Sequence, residues 1–209
     1  MNIRIQFEYP VTEKISGIDL VKEQINIAKG KKLSVSNGTL AILGHSIEVR
    51  IYAEDPANNF LPYVGTLSTY KVPKGPVVRV DDGFEKGMNI PIQYDPMIAK
   101  LIAHVKNREE ARRRMIRAID EYKISGIEST LGYCKFNLQH PEFISGQYNT
   151  DFVEKYFSSE QLKEHLNKEE EIAASITVLT FLKDQIGKQE IKSKRENNKP
   201  SAWRNRLRK

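Results

Sequence analysis

Gly44-His45-Ser46-Ile47-Glu48-Val49-Arg50-Ile51-Tyr52-Ala53-Glu54, with Asp55 and Pro56 after it, is the stretch on which the reading of this chain turns. Side chains along a strand point alternately to opposite faces. His45, Ile47, Val49, Ile51 and Ala53 therefore share one face, and Ser46, Glu48, Arg50 and Tyr52 share the other. The first face is mostly apolar and belongs against a core. The second sets a guanidinium beside a carboxylate, a pattern that fits a structural ion pair as well as a charged site.

Downstream, residues 55–87 have the texture of turns and short strands, with Pro56, Pro62, Gly65, Pro73, Gly75, Pro76 and Gly83 separating TLSTYKV from VVRVDD. The spacing predicts a small antiparallel sheet built from those two runs. A longer strand is expected over 97–105. It leads through Asn107, a capping residue with Glu109 and Glu110 in the first turn, into a helix that faces Ala111, Met115, Ala118 and Ile119 inward. Arg112, Arg113, Arg114 and Arg117 are expected on the solvated side of that helix. Short helices broken near Pro141 and Gly146 should fill 128–157. Beyond Ser158, a candidate cap, Leu162, Leu166, Ile172, Ile176, Leu179 and Leu182 recur at helical spacing.

Upstream, MNIRIQFEYPVTE sets Asn2, Arg4, Gln6 and Glu8 at alternate positions, with Ile3, Ile5 and Phe7 between them. Read as a strand, this presents an amide, a cation, an amide and a carboxylate along roughly 20 Å of one face, and a purely apolar face opposite. An anion or metal-nucleotide site needs that mix, and a half-buried strand with a solvated polar face shows the same alternation. Pro10 should stop the ladder. Ser16 should cap a helix over 17–29, with Ile18, Val21, Ile25 and Ala28 as its apolar stripe and Gly30 at its end.

The chain has 209 residues, 29% of them charged and 39% hydrophobic, a composition that suits one large or two small soluble domains. The apolar run from Ile98 is interrupted by Lys100 and His104, so no stretch is long and apolar enough for a membrane helix, and no signal peptide is visible. The expected compartment is the cytoplasm. A single cysteine, Cys134, excludes an internal disulfide and a Cys-rich metal site. Nine Lys and Arg against two Glu give residues 188–209 a charge of +7, leaving −1 on the rest of the chain out of a net +6. The positive charge thus belongs to a tail expected to be disordered, and no nucleic-acid partner is expected.

The opening block resembles the end of the ATP-grasp module of biotin carboxylases. The resemblance continues through GIDLVKEQINIA, GHSIEVRIYAEDP with FLP, YDPMIAKLI, NREEARRRMIRAIDEY and GIEST, and covers residues 1 to about 157. It implies an α+β fold: the last strand and helix of an ATP-grasp domain over 1–38 and a biotin carboxylase C-terminal domain over 39–157. A helical linker over 158–187 and the basic tail over 188–209 would follow. It further implies an ATP-dependent ligase that carboxylates biotin with bicarbonate by way of carboxyphosphate.

Residue by residue, the resemblance makes Arg4 a bicarbonate-binding and catalytic cation and Glu8 the carboxylate that deprotonates bicarbonate. Gln6 and the backbone of Phe7 would complete the anion pocket. Asn2 would be a ligand of nucleotide-bound Mg2+ or Mn2+. Arg50 would bind bicarbonate and stabilise the biotin anion. These residue types suit the chemistry, because a guanidinium holds a planar anion through two parallel hydrogen bonds and a fixed cation offsets charge building on an oxygen. Glu8 and Arg50 each also have plainer readings, as a solvated carboxylate and as the ion-pair partner of Glu48. His45 and His104 are expected to be structural, Asp95 a turn or cap residue, and Tyr94 a packing aromatic.

The implied partners are a biotin carboxyl carrier domain, a carboxyltransferase subunit and a second copy of the chain, with the sheet around Arg79 as a candidate dimer face. Biotin would arrive in trans, since no Met-Lys-Met motif occurs. Tyr9 stands where the family usually has His, and Phe7 where it usually has Val. The family's phosphate-covering loop, phosphate-binding lysines and metal-binding glutamates would precede Met1, so isolated residues 1–209 are not expected to hydrolyse ATP. Another ATP-grasp ligase, such as a carbamoyl-phosphate synthetase, and a non-catalytic interaction module are the competing readings.

Overall fold

The computed structural model describes residues 4–35, 40–91, 93–160, 164 and 171–183. The chain divides into a unit over Met1–Leu162 and a second over Lys163–Lys209. In the first unit, β1 (His45–Tyr52), β5 (Val78–Asp82) and β6 (Met97–Val105) form an antiparallel sheet in the order β1-β6-β5. The register runs from His45 opposite Val105 to Ile51 opposite Ala99, with a bulge before Tyr52.

Alternation along β1 divides the sheet into two chemically different faces. Ile47, Val49 and Ile51 lie opposite Ala103, Leu101 and Ala99, and all six are buried. On that face lies α3 (Arg108–Glu121), which buries Ala111, Met115, Ala118 and Ile119 as the spacing predicts. Asn107 caps it, its Oδ1 accepting the Glu110 amide at 2.9 Å. Each fully buried aliphatic side chain is worth about 1.5–3 kcal/mol, so this face holds the unit together.

The opposite face carries Ser46, Glu48 and Arg50 on β1 and Arg79 and Asp81 on β5, with Lys100 of β6 in register between Arg50 and Asp81. It packs against α1 (Tyr9–Ser16).

Here the structure corrects the expected opening strand. Among the described residues, 4–8 have no strand to pair with, and a ladder without a partner is not stable. Pro10 instead sits in the first turn of α1, where its missing N–H costs nothing and its fixed φ suits the helix. Ser16 ends α1 rather than capping the next helix. That helix, α2 (Leu20–Ala28), is capped by Asp19, whose Oδ1 accepts the Lys22 amide at 2.8 Å. No residue of α2 is buried: Val21 and Ile25, expected to face a core, are exposed.

TLSTYKV and VVRVDD do not pair with each other. β4 (Thr69–Lys71) pairs with β7 (Lys123–Ser125), and β2 (Glu54–Asp55) pairs with β3 (Leu61–Pro62). The β4–β7 ribbon brings Gly126 so close that a Cβ there would collide with the Thr66 carbonyl, and its φ of 95° is one that suits glycine.

The arginine run on α3 is only partly a solvated face. Arg112 is mostly buried, held by Glu109 at 2.8 Å and donating to the Leu138 carbonyl at 3.1 Å. α4 (Leu131–Gln139), α5 (Pro141–Ser145) and α6 (Phe152–Tyr156) follow, with a break at Pro141 and left-handed Gly146, as expected.

In the second unit, residues 171–183 are helical, with Ile172, Ile176, Leu179 and Leu182 exposed. Leu162, Leu166 and the tail from 188 lie outside the described residues.

Candidate functional site

The site lies where residues 4–9 cross the polar face of the sheet. Glu8 occupies the N-cap position of α1 but makes no side-chain capping bond. Its carboxylate instead meets Arg50, Oε2 lying 2.9 Å from Nη2. Arg50 projects from the middle of β1, and its Nε lies 3.7 Å from Glu48 Oε1. The guanidinium is therefore held between two carboxylates, one on its own strand and one brought in by the 4–9 segment. The Phe7 ring flanks it, 5.3 Å from the guanidinium carbon.

A cleft of about 660 Å³ opens at this point, lined by Arg4, Gln6, Phe7, Glu8 and Arg50, with Ile5, Tyr9, Met97 and Lys100. The residues singled out at alternate positions near the start of the chain thus share one cavity with Arg50. A second cleft of about 350 Å³ shares Arg4, Gln6 and Glu8 and is closed by Leu20, Gln24, Ile27 and Leu33. Residues 4–8 form a wall between the two. Asn2 lies outside the described residues.

Two features of the site differ from the sequence reading. Phe7 does not point into a core: it is 49% exposed, like its neighbour Ile5, because the segment is not a strand with a covered apolar face. Lys100, in sequence only a break in an apolar run, lines the cleft. Its signal in the sequence is a lysine flanked on both sides by apolar residues, Ile98 and Ala99 before it and Leu101 to Ala103 after it.

Burial raises the pKa of Glu48, opposed by the positive charges of Lys100 and then Arg50. Glu48 Oε2 is buried without a hydrogen-bond partner. Such an arrangement attracts a cation or a proton more strongly than an exposed carboxylate would.

The other candidates have structural roles or none. His104 Nε2 contacts the Leu43 carbonyl at 2.8 Å, and His45 lies 3.5 Å from an Arg108 nitrogen. Asp95 accepts the Met97 amide at 2.9 Å, a turn contact. Tyr94 is 78% exposed, contrary to the packing role expected of it. Arg79 is engaged by both oxygens of Asp81, at 2.7 and 2.8 Å. Among the described residues, no three His, Cys, Asp or Glu side chains cluster as a metal site, and no helix is long and apolar enough to cross a membrane.

Comparison with known proteins adds independent information. Residues 48–155 match the family described as "Biotin carboxylase C-terminal domain", and residues 1–36 match "Carbamoyl-phosphate synthase L chain, ATP binding domain". The chain is 47% identical over 156 residues to Biotin carboxylase 1 of Bacillus subtilis, covering 75% of this chain and 35% of that protein. It is 42% identical over 193 residues to the mitochondrial propionyl-CoA carboxylase alpha chain of Sus scrofa, covering 88% of this chain and 26% of the relative.

Among solved structures, the bicarbonate-bound biotin carboxylase domain of a thermophilic 2-oxoglutarate carboxylase superposes with a TM-score of 0.72 at 42% identity. The match covers 74% of this chain and 35% of that one. The chain spans about a third of the length of the Bacillus relative.

Proposed function

Since the chain belongs to the family defined by the biotin carboxylase C-terminal domain, we propose that it supplies the anion- and biotin-facing half of a biotin carboxylase. In the whole enzyme, bicarbonate would be activated by ATP as carboxyphosphate and its carboxyl group delivered to biotin on a carrier domain. The observation that carries this reading is the single cleft shared by Arg4, Glu8 and Arg50.

Within it, the Arg4 fork would hold bicarbonate through paired hydrogen bonds, with Gln6 and the Phe7 backbone completing the pocket. Glu8, paired with Arg50, would take the bicarbonate proton. Arg50 would also contact bicarbonate and offset charge building on the ureido oxygen of biotin. A cleft of this volume admits a ligand of biotin's size. Nucleotide-bound Mg2+ or Mn2+ would need ligands beyond the described residues, among which no three His, Cys, Asp or Glu side chains cluster.

A carrier domain, a carboxyltransferase subunit and a second copy of the chain are the proposed partners. The dimer is supported by a related 2-oxoglutarate carboxylase domain described as a dimer. The cytoplasm is the proposed compartment, and the boundaries near 38, 157 and 187 are proposed domain limits. A carbamoyl-phosphate synthetase reading draws on residues 1–36 alone, whereas Arg50 belongs to the biotin carboxylase match.

The test is a chimera in which residues 1–157 replace the corresponding part of the Bacillus subtilis relative. Fixation of labelled bicarbonate into biotin, lost in Arg4→Ala and Arg50→Ala, is expected. A folded, ATP-binding chimera that turns over ATP with ammonia but not with biotin would overturn the proposal.

A further inference from the structure

Lys100 occupies the middle of the central strand β6, and it is 8% exposed. Its neighbours Ile98, Ala99, Leu101, Ile102 and Ala103 are each 2% exposed or less, so packing alone would select an apolar residue at this position. Lys100 also stands directly opposite Arg50, and like charges across a ladder repel. Asp81, opposite on the other side, has both oxygens engaged by Arg79. An ammonium in such a place requires compensating contacts.

Those contacts lie in the 4–9 segment. Lys100 Nζ donates to the Phe7 carbonyl at 3.3 Å and sits 4.5 Å from the centre of the Tyr9 ring. The nearby Glu48 carboxylate, only 6% exposed, supplies negative charge without a direct ion pair to Lys100.

We propose that Lys100 is a positioning residue for the carboxylation proposed above: by gripping the Phe7 carbonyl and the Tyr9 ring from the sheet, it holds Arg4, Gln6 and Glu8 at the cleft facing Arg50. The proposal rests on that reading of the cleft. Residues 4–8 have no ladder among the described residues, so their placement depends on a few contacts. They include the Arg50–Glu8 pair, the Phe7 ring beside the Arg50 guanidinium, and turn bonds in which the Tyr9 amide donates to the Gln6 carbonyl and the Val11 amide to the Glu8 carbonyl, both at 3.1 Å. An exposed pair contributes little to order, whereas the Lys100 ammonium reaches the segment from a buried position in the sheet. Displacement of a reacting group by about 1 Å costs on the order of 100-fold in rate, so an anchor outside the chemistry still governs it.

The experiment compares wild type with Lys100→Met, Lys100→Arg and the double variant Lys100→Met/Glu48→Gln in the full 209-residue chain. Three quantities are measured: thermal unfolding, backbone 15N order parameters of residues 5–9, and bicarbonate affinity by chemical-shift titration. Lys100→Met should lower the order parameters from about 0.85 to below about 0.6 while β1 and β6 stay rigid, and weaken bicarbonate binding about tenfold. Lys100→Arg should restore part of both. The double variant should regain thermal stability but neither order nor affinity.

Recovery of all three by the double variant would mean that Lys100 only balances Glu48, and would overturn the proposal. Unchanged order in Lys100→Met would do the same. A wild-type chain that is ordered at 5–9 but shows no bicarbonate shift would count against the carboxylase reading, while the order parameters would still decide the role of Lys100 as an anchor.

Discussion

Glu8 and Arg50, 42 residues apart in sequence, meet at 2.9 Å across the mouth of one cleft. The proposed base and the proposed biotin-facing cation are thus paired with each other before any ligand arrives. The Glu8 side chain is 53% exposed and that of Arg50 37%, so the pair is worth about 1 kcal/mol or less and an anion can displace it. Arg50→Lys keeps the charge and loses the planar fork. In the chimeric enzyme it should lower kcat/KM for biotin on the order of 100-fold, with an unfolding free energy within about 1 kcal/mol of the parent. Steady-state kinetics and thermal melts check this.

Glu48 makes a distinct pH signature. Its folded pKa is raised above the ordinary 4.5, chiefly by burial, so the folded chain binds the proton more tightly than the unfolded chain. Stability therefore falls as pH rises through 4.5 towards the folded pKa, and the loss is complete above it. Glu48→Gln removes this loss. The difference in Tm between Glu48→Gln and wild type should grow in the variant's favour from pH 4 to pH 7, and melts at matched ionic strength measure it.

Glu109 behaves in the opposite sense. Hydrogen bonds from Arg112 and then Arg113 pull its pKa down to about 2. Its contribution is present above the ordinary 4.5 and disappears as pH falls through about 2. Glu109→Gln should be less stable than wild type at pH 7 and equal to it near pH 2. The gap at pH 7 should narrow in 1 M salt, because Glu109 is exposed.

The sequence made the core sheet legible because both of its long strands and α3 carry strong local patterns. Ile47, Val49 and Ile51 alternate cleanly, and Asn107 with Ala111, Met115 and Ala118 marks a capped amphipathic helix. The candidate cleft was legible for a different reason: the residue types at 4, 6, 8 and 50 follow a family pattern. What the sequence did not reveal depends on partners distant in the chain. Alternation in residues 3–8 suggested a strand, but a strand needs a neighbour, and the described residues supply none. Pairing of β4 with β7, and of β5 with β6, likewise joins segments separated by a helix or a loop, which local spacing cannot report. Lys100 was hidden because its meaning lies in Phe7 and Tyr9, far away in sequence.

Cys134 offers a check on packing beneath α4. Burial pushes its thiol up to about 12, so it should resist a thiol reagent at pH 8 while the chain is folded. One equivalent should react rapidly after denaturation, read by absorbance of the released thiolate. Fast reaction in the folded state would show that the thiol is not shielded where α4 packs against the core.

If Arg4 and Arg50 serve one small-anion site, a bicarbonate titration of the chain with 15N-labelled arginine will detect both at once. The Arg4 and Arg50 guanidinium signals should shift together with one midpoint, chloride at equal ionic strength should not reproduce the shift, and Arg4→Lys should weaken it for both. A titration that moves neither signal, or moves the two with separate midpoints, would contradict it.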